Sequence, residues 1–251
     1  MPPTIDGWFW GIKLLTTAFG EAASDYLVFS MNPYLAVGLV GVIFVIALVV
    51  QFRTRRYTAG VYWFTAAMVA AFGTMVADAV HVQFGVPYAV SSACLAVCLV
   101  VVFIVWYRVE RTLSIHSIVT TRREVFYWLT IIVTFALGTA VGDLAASIGN
   151  MGYGKAALVF AIVILVPALL ALITRRWLIG WFWAAYVITR PLGASVADWF
   201  SKPPSIHGLG LGDGPVAVVL GVLIVLALIA MTAYQRFGTP GGRHALPASH
   251  E

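Results

Sequence analysis

Glu21 and four aspartates, Asp25, Asp78, Asp143 and Asp198, stand inside stretches of this chain that are otherwise apolar. Carboxylates in such surroundings have few uses. Their oxygens bind hard or borderline divalent metals, relay protons, or tie helices together through hydrogen bonds. Lys13 and Arg190 are the cations inside the same stretches. Five carboxylates against two cations leave an excess of negative charge if all are ionised. A buried cluster holds such an excess only with protons or a bound cation.

The aspartates recur in register. Four segments, WGIKLLTTAFGEAASDY from Trp10, WFTAAMVAAFGTMVADA from Trp63, WLTIIVTFALGTAVGDL from Trp128 and WAAYVITRPLGASVADW from Trp183, share one spacing. Each places Gly ten residues after Trp and Asp five residues after Gly. The glycines are Gly20, Gly73, Gly138 and Gly193. The tetrapeptide GWFW, present at 7–10 and again at 180–183, is the best-preserved part of this four-fold duplication.

On a helix the spacing fixes depth. At about 1.5 Å per residue, Gly lies roughly 15 Å and Asp roughly 22 Å beyond Trp, inside a hydrocarbon layer about 30 Å thick. Trp10, Trp63, Trp128 and Trp183 are therefore expected as anchors at one interface. The glycines fall near the midplane and are expected as close-packing sites between helices. The aspartates fall in the opposite half, where each charged group costs about 2.5–3.5 kcal/mol to insert. Interhelical hydrogen bonding or contact with headgroups is the bland explanation; a polar path or site is the functional one.

Thr17, Glu21 and Asp25 share one helix face, with Lys13 a turn earlier. The same register reads Ala66, Ala70, Thr74, Asp78 in the second repeat and Ile131, Phe135, Thr139, Asp143 in the third. In the fourth it reads Tyr186, Arg190, Ala194, Asp198. An ion site formed by Glu21, Asp25, Asp78, Asp143 and Asp198 is expected, with neutral oxygens from Thr17, Thr74 and Thr139. Glu21, Asp25 and Asp198 are its expected metal ligands. Lys13 and Arg190 are expected to pair with carboxylates, Arg190 with Glu21 or Asp25. Pro191 removes a helix hydrogen bond, so a kink or unwound turn is expected there.

The elements that carry these residues follow from composition. Of 251 residues, 61% are hydrophobic and 10% charged, against about 25% charged in a soluble domain. This is the composition of an integral membrane protein. Apolar runs long enough to cross a bilayer lie at roughly 8–29, 34–52, 59–80, 88–107, 125–147, 156–174, 178–200 and 215–235. The first is expected to be a retained helix rather than a signal peptide, since Glu21 and Asp25 interrupt it. The fold expected is all-α and polytopic: eight transmembrane helices from four tandem helical hairpins in the same orientation. Odd-numbered spans carry the charges and are expected inside, with even-numbered spans facing lipid. One membrane domain covers 1–251, with repeats near 7–52, 59–107, 125–174 and 180–236, a cytoplasmic loop at 108–124 and a flexible cytoplasmic tail at 237–251.

Orientation comes from the basic residues. Arg53, Arg55, Arg56, Arg108, Arg111, Arg122, Arg123, Arg175, Arg176, Arg236 and Arg243 follow even-numbered spans, and only Lys155 and Lys202 follow odd-numbered ones. Arg and Lys in short loops mark the cytoplasmic side, so both termini are expected inside. Because the basic residues sit at helix ends, nucleic acid is not an expected partner. Cys94 and Cys98, one turn apart in an apolar run, are expected to be packing residues. TLSIHSI (112–118) reads as a loop contact to the bundle, and GLGLG (208–212) as a flexible external turn.

Several stretches carry a family resemblance: KLLTTAFGEAASDYL (13–27), TLSIHSI (112–118) with RREVFYWLTIIVTFALGTAVGDL (122–144), and TRPLGASVADWFSKP (189–203) followed by GLGLG. The chain resembles bacterial membrane-anchored proteins built from four tandem copies of a two-helix repeat of unknown function. The resemblance implies an eight-helix inner-membrane protein and brings no activity. Its charged motif positions correspond to Lys13, Glu21, Asp25, Arg190 and Asp198.

The function expected from the residues is transport of a small cation, a divalent metal ion with proton exchange, through the carboxylate cluster. The alternatives are a pseudo-fourfold cation channel and a non-transport structural or cofactor-binding protein. No enzymatic activity is expected; the sequence leaves any cofactor unknown, and a divalent metal ion enters only as substrate. The expected partners are the lipid bilayer and a small cation or proton, and a homo-oligomer is compatible with the sequence.

Overall fold

The computed structural model describes residues 4–54 and 56–237. Residues 238–251, most of the expected tail, lie outside the described residues. The helices are α1 (Gly7–Ser30), α2 (Pro33–Arg53), α3 (Ala59–Phe84), α4 (Tyr88–Glu110), α5 (Thr121–Ser147), α6 (Tyr153–Val163), α7 (Leu165–Thr174), α8 (Leu178–Ser201) and α9 (Asp213–Phe237). There is no strand among the described residues.

Six stretches are long and apolar enough to cross a membrane: α2, α3, α4, α5, the α6–α7 pair, and α9. They mark a multi-pass membrane protein. The remaining helices, α1 and α8, are 24 residues each, and they carry Lys13, Glu21, Asp25, Arg190 and Asp198. The sixth apolar run is not one helix. It is interrupted at Ile164, three residues before Pro167, whose missing N–H cannot reach the Val163 carbonyl.

The inner helices α1, α3, α5 and α8 form a closed ring, each packed on its two neighbours in that order, with α8 returning to α1. The outer helices do not rest mainly on their own hairpin partners. Instead α2 packs chiefly on α3, α4 on α5, α6 and α7 on α8, and α9 closes the cycle on α1. Every outer helix thus covers the inner helix of the next repeat.

The repeated glycines sit at those inner contacts. A Cβ on Gly20 would lie 2.3 Å from Ala70 Cβ, and one on Gly73 would lie 2.8 Å from Phe135 Cβ. At Gly138 it would lie 2.1 Å from Arg190 Cγ, and at Gly193 2.1 Å from Thr17 Oγ1. Each glycine receives the residue seven after Trp in the following repeat. Small residues let membrane helices approach to this distance.

The outer faces are apolar and exposed, as at Val42, Val100, Leu172 and Val218. Cys94 and Cys98 belong to that exposed surface on α4. The expectation that they fill a core is corrected: α4 turns its opposite side toward α5.

Candidate functional site

The repeats begin with an aromatic end. The residue before each Trp packs on the Trp of the next repeat: Phe9 on Trp63, Tyr62 on Trp128, Tyr127 on Trp183 and Phe182 on Trp10, with ring centroids 5.6, 5.7, 6.2 and 5.6 Å apart. Tyr62 and Tyr127 also share a hydrogen bond between their hydroxyls. Trp63, Trp128 and Trp183 are buried, and Trp10 is half-buried. The expectation of interfacial anchors is corrected: the rings face inward and close this end of the ring. The 112–118 loop seals it further. Trp183 Nε1 donates to the Leu113 carbonyl at 2.9 Å, and Ile115 joins the aromatic core.

One turn deeper lies Lys13, 1% exposed. Its ammonium sits 4.3 Å from the ring centroids of both Phe135 and Tyr186, and has no hydrogen-bond or ion-pair partner among the described residues. The expected pairing of Lys13 with a carboxylate is therefore corrected. Ring faces take the place of the anion, an interaction worth about 2 kcal/mol when desolvated.

The next layer is Arg190, which is fully buried. Its guanidinium donates to Glu21 Oε2 at 2.7 Å, to Thr139 Oγ1 at 2.7 Å, to the Thr17 carbonyl at 3.1 Å and to Thr74 Oγ1. Thr74 Oγ1 is in turn 3.2 Å from Glu21 Oε2. One side chain from the fourth repeat is thus held by all three others. At the register position of Glu21, Thr74 and Thr139 the fourth repeat has Ala194. Thr17 contributes its carbonyl rather than its hydroxyl, which is spent on Leu14 O. No unwound turn accompanies Pro191, since α8 is helical from Leu178 to Ser201. Proline is tolerated in membrane helices where neighbouring groups compensate the freed carbonyl.

Beyond Arg190 the bundle is hollow. A cavity of about 410 Å³ is lined by all five carboxylates, Glu21, Asp25, Asp78, Asp143 and Asp198, together with Tyr88, Tyr153 and Lys202. Glu21, Asp25 and Asp198 each bring an oxygen within 4.8 Å of the others, a separation compatible with a shared cation. Asp198 is 2% exposed and its Oδ1 has no hydrogen-bond partner among the described residues.

Lys202, missed by the sequence reading because it follows the last helical residue of α8, reaches back into the cluster. Its ammonium bonds Asp25, lies 3.2 Å from Asp213 and 3.8 Å from Asp198. Burial disfavours the charge, but Asp25, Asp198 and Asp213 outweigh it and hold the ammonium above its ordinary pKa.

GLGLG fixes where Lys202 stands. Helix ends leave the last carbonyls without partners, and here Leu209, Leu211 and Gly212 donate to the carbonyls of Trp199, Phe200 and Ser201 at 2.7, 3.0 and 3.0 Å, while Gly210 donates to that of Lys202 at 2.8 Å. Gly210 and Gly212 have φ of +75° and +85°, a conformation glycine adopts without penalty. A Cβ on Gly208 would lie 2.0 Å from Lys202 O. The expected flexible turn is corrected to a strap that caps α8.

Comparison with known proteins identifies a family for this chain. No curated protein and no solved structure matches the chain significantly. The model of DUF347, a repeat of unknown function, matches four times in tandem, at residues 8–57, 61–112, 126–176 and 181–237. These matches begin beside the four Trp residues that close the aromatic end, and together they take in every inner and outer helix. The chain belongs to the DUF347 repeat family.

Proposed function

We propose that this protein moves a small cation across the bacterial inner membrane in exchange for protons, binding it in the carboxylate cavity. The observation that carries the reading is convergence. Five carboxylates from four repeats line one cavity at one end of the ring, whereas Arg190, Lys13 and the aromatic rings fill the other. Eight spans fit this reading, because α1 and α8, though the most polar, complete the ring. Orientation follows the basic loops: the aromatic end is cytoplasmic, the cavity faces outward, and both termini are inside.

The filled column between Arg190 and Trp183 favours a transporter with alternating access over a standing channel. Protons and cation compete for the same oxygens, so affinity falls as pH falls. A divalent metal on Glu21, Asp25 and Asp198 is one occupant compatible with the oxygen spacing.

The test is flux into proteoliposomes, run beside thermal melts of four variants. Asp25→Asn and Asp198→Asn are expected to abolish flux and cation-dependent stabilisation. Asp78→Asn and Asp143→Asn, outside the triad, are expected to keep residual activity. If the variants only melt lower, and the parent moves no cation across a broad panel and pH range, the aspartates are structural ties and the transport reading fails.

A further inference from the structure

Resting on that reading, we infer that the cavity's cargo is an organic ammonium, a protonated alkylamine, and that Lys202 is its tethered stand-in. The side chain of Lys202 is chemically a primary alkylammonium on a four-carbon stem. It occupies the mouth of the carboxylate cluster, bonded to Asp25, with Asp213 at 3.2 Å and Asp198 at 3.8 Å. The Phe29 ring centroid lies 5.6 Å from its nitrogen. Carboxylates on one side and an aromatic face on the other form the recognition pattern of an alkylammonium.

The remaining lining fits the same class. A metal ion wants a close shell of oxygens, yet much of this wall is carbon: Phe29, Tyr34, Met75, Tyr88 and Tyr153 face the space beside the carboxylates. At about 410 Å³ the cavity falls in the range of roughly 300–1,000 Å³ typical of small-molecule sites. Tyr88 is held as a wall by stacking on His81 at 3.6 Å, and His81 Nδ1 is fixed on the Val86 carbonyl at 2.7 Å. The site also has an oxygen that Lys202 meets only at ion-pair distance, Asp198 Oδ1 at 3.8 Å. Asp198 Oδ1, nearly inaccessible and lining the cavity, has no hydrogen bond.

A tethered ammonium competes with a free one at the effective concentration of its tether, which is on the order of millimolar for short flexible links. A free amine therefore binds by displacing Lys202, and removing Lys202 makes its entry easier. The strap at 208–212 holds the Lys202 backbone through the bond from Gly210 N–H to Lys202 O at 2.8 Å, so displacement requires only the side chain to move.

The experiment uses the purified full chain in detergent and follows its melting midpoint with n-butylammonium, manganese(II) or matched sodium chloride. n-Butylammonium is expected to raise the midpoint of the parent above the sodium control. In Lys202→Gln the same rise should need about tenfold less amine, Lys202→Arg should behave like the parent, and Asp198→Asn should lose the response. An unchanged amine requirement in Lys202→Gln overturns the stand-in role. Stabilisation by manganese without stabilisation by n-butylammonium overturns the amine assignment and leaves cation transport standing. A parent that responds to neither cation loses both readings. If the glutamine variant does not fold, the parent decides alone: no rise with n-butylammonium overturns the inference.

Discussion

At one end of the inner ring the four repeats contribute Phe9–Trp10, Tyr62–Trp63, Tyr127–Trp128 and Phe182–Trp183, and the rings fill the space between the helices. At the other end the same helices contribute Asp25, Asp78, Asp143 and Asp198, and a cavity remains. The repeat is kept at both ends, so duplication alone does not make the difference. Side-chain chemistry does. Aromatic rings gain by closing on one another, while carboxylates repel and need a cation, a proton or a donor between them. The boundary falls at Arg190, where the fourth repeat departs from the rest and side chains or backbone of the other three bond it.

The contrast can be broken most forcefully at that boundary. Arg190→Ala leaves Glu21 buried without its partner and should destabilise the protein by about 3–5 kcal/mol, seen as a lower thermal midpoint. Arg190→Met combined with Glu21→Gln removes both charges and should recover most of the loss. A double variant no better than the single one would show that the guanidinium acts through packing rather than charge.

A smaller effect tests the ring itself. Gly138→Ala forces a methyl against Arg190 Cγ and Cβ and should cost about 1–3 kcal/mol through overpacking. Gly180→Ala, whose Cβ would meet nothing within 4 Å, is its control in the same assay; equal losses in the two would remove close approach as the explanation.

The mildest change sharpens the comparison. Trp183→Phe keeps an aromatic ring but removes the hydrogen bond to Leu113 O, an effect of about 1 kcal/mol. If the two ends have separate tasks, the variant melts slightly lower and its cation response is unchanged. A lost cation response would mean that the aromatic end takes part in binding.

Much of this organisation was legible in the sequence. The W-x9-G-x4-D register placed the carboxylates at one depth and put Glu21 on the face that Arg190 meets. Periodicity along one helix, however, says nothing about which neighbour a side chain finds. Lys13 therefore read as an ion-pair partner, although its ammonium lies on Phe135 and Tyr186. Trp63, Trp128 and Trp183 sit at the expected end of their helices, but depth does not reveal whether a ring faces lipid or the interior. Lys202 and GLGLG escaped because they lie beyond the last helical turn. Their roles arise only when the chain folds back on α8.

The cyclic offset also sets an order of events in biosynthesis. Helix α1 precedes the other described helices, with Lys13, Glu21 and Asp25 already in place, yet the groups that complete it come from the fourth repeat. Arg190 and Lys202 belong to the fourth repeat, and α9, which covers α1, is the last of the described helices in chain order. Until then Glu21 and Asp25 lack their basic partners, and the sides of α1 that meet α8 and α9 are uncovered.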